Sequence, residues 1–207
     1  MTEVTTEQRT TTASVKITTL GSLCRVESPY HPDFIKVARA RNGKWSAPHW
    51  LFDARDESGL REECRRIYGT DGTPVSCVDC RLDYHEYGYF SGSALYALGR
   101  LIVERRSRDE RVRLGVGVVA VEGGFPESGG SMKNPDPKAY TGTILEVRDV
   151  PIALARRFSE YDWLTIISDP DNGPTAAEVK TEAIAHVKAL MAELGVTVDD
   201  LQSDVNG

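Results

Sequence analysis

An α+β protein in two parts is expected from this sequence, and three features lead there. Between residues 15 and 70, apolar residues at helical spacing alternate with short aromatic runs. From Pro74 the texture turns β-rich, with Val, Ile and Leu runs bounded by Gly, Pro, Ser or charged turns. Residues 175–195 return to helical spacing. The expected layout is a disordered tail over 1–14, a strand, helix, hairpin, helix module over 15–70, and an antiparallel β-rich domain with a capping helix over 74–168. A C-terminal helix over 175–195 and a tail over 196–207 follow.

The first fourteen residues are Thr-rich, without an aromatic residue or a periodic apolar pattern, and cannot offset the entropy of ordering them. Val15 to Glu27 alternates loosely around Gly21, as one broken strand or two. Pro32 suits a first helical turn, where its missing N–H would have been unpaired anyway, and Phe34, Val37 and Ala38 supply the buried face up to Asn42-Gly43. Two aromatic runs around Ala47-Pro48 predict a hairpin presenting Trp45, Trp50 and Phe52. The next helix opens on Asp56 and Glu57, carries Leu60, Cys64, Ile67 and Tyr68 on one stripe, and stops at Gly69.

Four β segments are expected beyond it: PVSCVDCRLDY, ALGRLIVERR, VGVVAVEGGF and TGTILEVRDV. The Gly- and Pro-rich excursion over 122–137 is too irregular for a regular element. Asp149 and Pro151 are expected to open a helix through Phe158, with WLTIIS as a short apolar run after it. Thr175 and Glu178 have capping-box spacing ahead of Val179, Ala183, Val187, Leu190 and Leu194, and the last three also fit a short coiled-coil seam for a homodimer.

Composition narrows the function. No run of about 18 apolar residues occurs, and the N-terminus lacks a secretory pattern, so no membrane association and a cytoplasmic location are expected. Four cysteines are too few for a disulfide scaffold. A net charge of −6 argues against a protein that coats nucleic acid over its whole surface. The charge is uneven, however: ten cations against seven carboxylates leave Lys16–Tyr68 at +3 and the remainder at −9.

Residues 25–68 carry Tyr30 after the first strand, the Phe34/Val37 helix, the hairpin, a Trp50-x-Phe52-Asp53 signature and the following helix. This pattern resembles a HARP-type module, the small domain found beside the motor of annealing helicases. The resemblance covers about a fifth of the chain, and the G-x-x-x-x-G-K-[ST] loop of such a motor is absent from the sequence. It implies binding of forked or single-stranded DNA, and so a non-enzymatic adaptor for nucleic acid, DNA or RNA, or for a partner protein. The length and layout also resemble accessory proteins of phages and plasmids.

The residues that would carry such binding are Lys36, Arg39, Arg41, Lys44 and Trp45, where cations meet an aromatic ring, giving phosphate attraction plus base stacking. A solvated helix face over a core tryptophan accounts for the same residues. Arg105, Arg106 and Arg108, with Arg111 and Arg113, crowd one turn between strands and offer fork-shaped donors to phosphate, or else a charged tip that discourages edge pairing.

Two other constellations invite chemistry. Cys77, Cys80 and His85 have the residue types of half a zinc site, but residues three apart on a strand point to opposite faces. Asp79, Arg81, Asp83 and His85 alternate on one strand face, where the carboxylates and imidazole would suit a divalent metal for phosphodiester hydrolysis, or simply an exposed charged face. No catalytic residue, metal ligand or cofactor is assigned. A second class of function is an anti-defence factor, similar to an anti-CRISPR protein, in which the acidic remainder docks on a basic host nucleic-acid enzyme.

Overall fold

In the α+β structure, a computed structural model that describes residues 10–11, 15–84 and 92–168, three antiparallel sheets and three α-helices surround two apolar cores. The first core belongs to residues 15–68. Strands β1 (Thr10–Thr11), β2 (Lys16–Leu20) and β3 (Leu23–Glu27) come first, and β2 and β3 form a hairpin around Gly21. Helix α1 (Pro32–Ala40) follows, with Pro32 in its first turn and the His31 side chain as its N-cap, Nδ1 accepting from the Asp33 N–H at 3.2 Å. Phe34 and Ala38, four apart, are its buried face.

Strands β4 (Lys44–Ser46) and β5 (His49–Asp53) form the expected hairpin, and β5 pairs with β3 to give the order β2-β3-β5-β4. Helix α2 (Glu57–Tyr68) buries Leu60, Cys64, Ile67 and Tyr68 against Cys24, Val26, Phe34 and Phe52. Gly69 ends it at φ 76°, the left-handed cap that its place in the sequence predicts. The Tyr68 hydroxyl donates to the Pro29 carbonyl at 2.8 Å, tying the end of α2 to the start of α1.

The second core is built on β6 (Val75–Asp83), whose Val78, Cys80 and Leu82 are buried. Strands β7 (Ala94–Ala97), β8 (Arg100–Glu104) and β9 (Arg113–Leu114) form a small sheet, and β10 (Val118–Glu122) pairs with β11 (Ile144–Pro151). β11 pairs with β6, and β12 (Leu164–Ser168) also pairs with β6 after helix α3 (Ile152–Phe158).

The chain departs from the expected elements in three places. Within the predicted tail, Thr10 and Thr11 pair with Ser76 and Val75. The run ALGRLIVERR starts on the last residue of β7 and continues as β8 only after a turn at Leu98 and Gly99, both at positive φ, with the Leu98 side chain buried, so a core residue occupies a turn position. Asp149 lies inside β11 instead of opening the helix. It forms a bulge at φ 52°, its N–H donating to Asp79 Oδ1 (3.0 Å) while the Arg100 guanidinium donates to the Arg148 and Asp149 carbonyls (2.9 and 2.7 Å). The predicted C-terminal helix over 175–195, the tail over 196–207 and His85 lie outside the described residues. Among the described residues, no helix is long and apolar enough to cross a membrane.

The two cores meet along a seam. A side-chain carbon on Gly69 would lie 2.5 Å from Pro151 Cβ, and one on Gly99 would lie 3.0 Å from the Ile67 carbonyl oxygen, so the end of α2 rests directly on the β7–β8 turn and the start of α3. Across the same seam the Tyr96 ring meets Tyr30 at 5.8 Å and His31 at 5.5 Å.

Candidate functional site

The β4–β5 hairpin positions an aromatic ladder. Trp45 and Trp50 sit directly opposite each other with ring centroids 5.4 Å apart, and Trp50 continues to Phe52 at 6.5 Å in a stacked arrangement. Phe52 is buried in the first core, Trp50 is half-buried, and Trp45 is 57% exposed. The ladder thus runs from the core to solvent and leaves one rigidly backed indole available for stacking.

The predicted cations differ in their availability. Arg39 and Lys44 are exposed, and among the described residues no carboxylate pairs with either. Lys36 is exposed but pairs with Asp33 at 2.9 Å, a contact of about 0.3–0.5 kcal/mol that another anion can replace. Arg41 departs from the predicted set of phosphate-contacting cations. Its half-buried guanidinium lies 3.9 Å from Asp56, and a side chain on Gly59 would strike it, so it packs α1's end onto the start of α2.

The arginine turn differs more sharply from expectation. Arg105 is fully buried and unavailable to a phosphate. Its guanidinium donates to the main-chain carbonyls of Glu127 (2.9 Å), Pro126 (2.6 Å) and Glu110, so it pins the Gly-rich excursion from inside. Tyr84 adds a hydrogen bond to the Pro137 carbonyl (3.0 Å). Arg106 and Arg113 share Glu104 (3.1 and 3.3 Å), Arg111 pairs with Glu127 (2.8 Å), and Arg108 lies 3.7 Å from Asp109. The apparent basic patch is therefore one buried staple surrounded by ion pairs.

The cysteines of β6 are buried in the sheet, and its Asp79 supports a neighbouring strand. Cys77 and Cys80 are buried free thiols on a strand whose partner, not itself, carries the extra bulge residue, so their side chains do not converge. Burial pushes the Cys80 thiol up to about 12. Asp79 holds the β11 bulge, and among the described residues no group of three His, Cys, Asp or Glu is placed to hold a metal ion.

Sequence reasoning missed a cleft of about 260 Å³ at the seam, lined by His31, Asp33, Arg66, Ile67, Tyr96–Gly99, Arg157, Phe158 and Trp163. Four separate segments contribute to it. Its one sequence signal is the cation-aromatic cluster of Arg156, Arg157, Phe158, Tyr161 and Trp163. Comparison with protein-family models, with curated proteins and with solved structures finds no match.

Proposed function

We propose that this protein is a nucleic-acid-binding adaptor that engages single-stranded or forked DNA, or RNA, through Trp45, Lys44, Arg39 and Lys36. The observation that carries the reading is Trp45, an exposed indole held by Trp50, in a module whose Arg39 and Lys44 are exposed and pair with no carboxylate among the described residues. An aromatic platform beside lysine and arginine offers base stacking of about 1–3 kcal/mol per base together with phosphate attraction. The resemblance of residues 25–68 to a HARP-type module supports the same ligand class. Arg41 and Arg105 have structural roles in this reading, and Arg106 and Arg108 are secondary to the hairpin.

Photo-crosslinking with an iodo-deoxyuridine single strand, followed by peptide mapping, tests the site. The expected adduct is on the peptide containing Trp45. Adducts confined to Trp163, or none at all, would refute the assignment.

A further inference from the structure

We propose that the cleft at the seam is a second binding site, one that takes a phosphate-bearing aromatic ring, that is, a single nucleotide. The cleft shares no lining residue with the Trp45 hairpin, and Lys36, the partner of Asp33, is the one residue that both readings use.

The charge distribution points to an anion. Among the described residues Asp33 is the one carboxylate lining the cleft, and Lys36 neutralises it at 2.9 Å. Arg66 directs its Nε to Glu63 at 2.8 Å. Arg157 has no carboxylate partner among the described residues. One of its N–H groups donates to the Arg66 carbonyl at 3.0 Å, and its guanidinium carbon lies 4.7 Å from the Phe158 ring centroid. Burial lowers the pKa of Arg157, and the like charge of Arg66 lowers it further. A cation disfavoured by both gains from an incoming anion. Two guanidinium groups at one opening suit a phosphate dianion better than a single carboxylate, because each offers parallel N–H donors.

The walls point to a ring. Phe158 and Trp163 lie 5.7 Å apart, and Trp163 is stacked on Tyr161 at 17°, which fixes its plane. Tyr96 and the buried edge of His31 also line the cleft. At about 260 Å³ the space lies just below the ~300–1,000 Å³ of sites for drug-sized ligands, which leaves room for about one nucleotide inside the cleft.

Isothermal titration of the full chain with a nucleoside monophosphate, the parent nucleoside, and a short 5′-phosphorylated strand tests the proposal. The monophosphate or the phosphorylated strand end should bind at least about tenfold more tightly than its unphosphorylated counterpart, the range expected when a charge-assisted hydrogen bond is present. Binding by the free monophosphate identifies a soluble nucleotide as the ligand, and a phosphate-dependent gain seen with the strand alone identifies a strand terminus. Arg157→Gln should lose that preference while melting at an unchanged temperature, and Trp163→Leu should weaken nucleoside and nucleotide alike. Trp45→Ala should leave the monophosphate titration and the phosphate-dependent gain of the strand unchanged, which separates this site from the hairpin. Absence of binding by both phosphorylated ligands, equal binding with and without phosphate, or an Arg157→Gln variant that binds as the parent does would overturn the proposal.

Discussion

His31 and Tyr96 meet edge to face across the seam, their ring centroids 5.5 Å apart and their planes at 71°. A second edge contact, with Tyr68 at 5.8 Å, encloses the imidazole, whose Nδ1 accepts the Asp33 N–H and caps α1. Only the neutral imidazole can accept that bond. One side chain thus starts a helix and joins the two cores.

Burial is the main reason the His31 pKa is lowered from 6.5, with Arg66 and Lys36 acting in the same direction and Asp33 opposing them. The unfolded chain therefore binds the proton first as pH falls. His31 contributes its full stability above about pH 6.5 and loses it progressively below that value, toward its lower folded pKa. Thermal melts between pH 7 and 5 should show a steeper loss for the parent than for His31→Asn, in which asparagine keeps the cap without titrating. Equal slopes would remove the histidine from the account.

Arg105 and its neighbours should separate cleanly under mutation. Arg105→Ala leaves three carbonyls without their donor and should cost about 3 kcal/mol in denaturant unfolding. Arg106→Ala and Arg108→Ala, both exposed, should stay within about 0.5 kcal/mol. Similar losses for all three would contradict the buried staple.

The seam can be probed with two glycines of similar backbone. Gly21 has φ 61° and open space around its missing side chain, whereas Gly69 has φ 76° and Pro151 within 2.5 Å. Gly21→Ala should cost about 1 kcal/mol for the left-handed backbone alone. Gly69→Ala adds overpacking and should cost about 3 kcal/mol. Equal costs would mean that the two cores do not rest on each other at this point.

Asp71 is one of the carboxylates that stabilise the fold against acid. Burial alone would raise its pKa, but hydrogen bonds from Thr73 and from the Arg65 guanidinium outweigh it and hold the carboxyl at about 2. Stability from this group is complete above about pH 4 and disappears as the pH falls toward 2. Asp71→Ala should cost about 2 kcal/mol at neutral pH and flatten the loss over that window. An unchanged acid transition would refute the assignment.

Much of the first core is legible in the sequence, because its elements are local. Pro32 with Phe34 and Ala38, and the stripe from Leu60 to Tyr68 ending at Gly69, state their helices within a few turns, and the β4–β5 hairpin is marked by Ala47-Pro48 between aromatic runs. The β7–β8 turn is not legible, since a buried Leu98 at positive φ carries no turn signal. Arg105 reads as surface because the carbonyls that enclose it come from residues 110, 126 and 127. Asp149 looks like a helix start, and only its contacts with Asp79 and Arg100, distant in sequence, make it a bulge. The seam cleft needs four segments at once and has no local spacing to betray it.

Fluorescence anisotropy of labelled single-stranded, forked and duplex DNA across a salt series tests the central claim most directly. The account predicts sub-micromolar binding of single-stranded or forked DNA at low salt, weakening steeply as salt rises. Replacing Arg39, Lys44 and Trp45 together by alanine should weaken it at least about tenfold and reduce the salt slope by about 1.4, ~0.7 for each cation on a single strand. No binding at low salt, or a triple variant with the parent's affinity and slope, would contradict it.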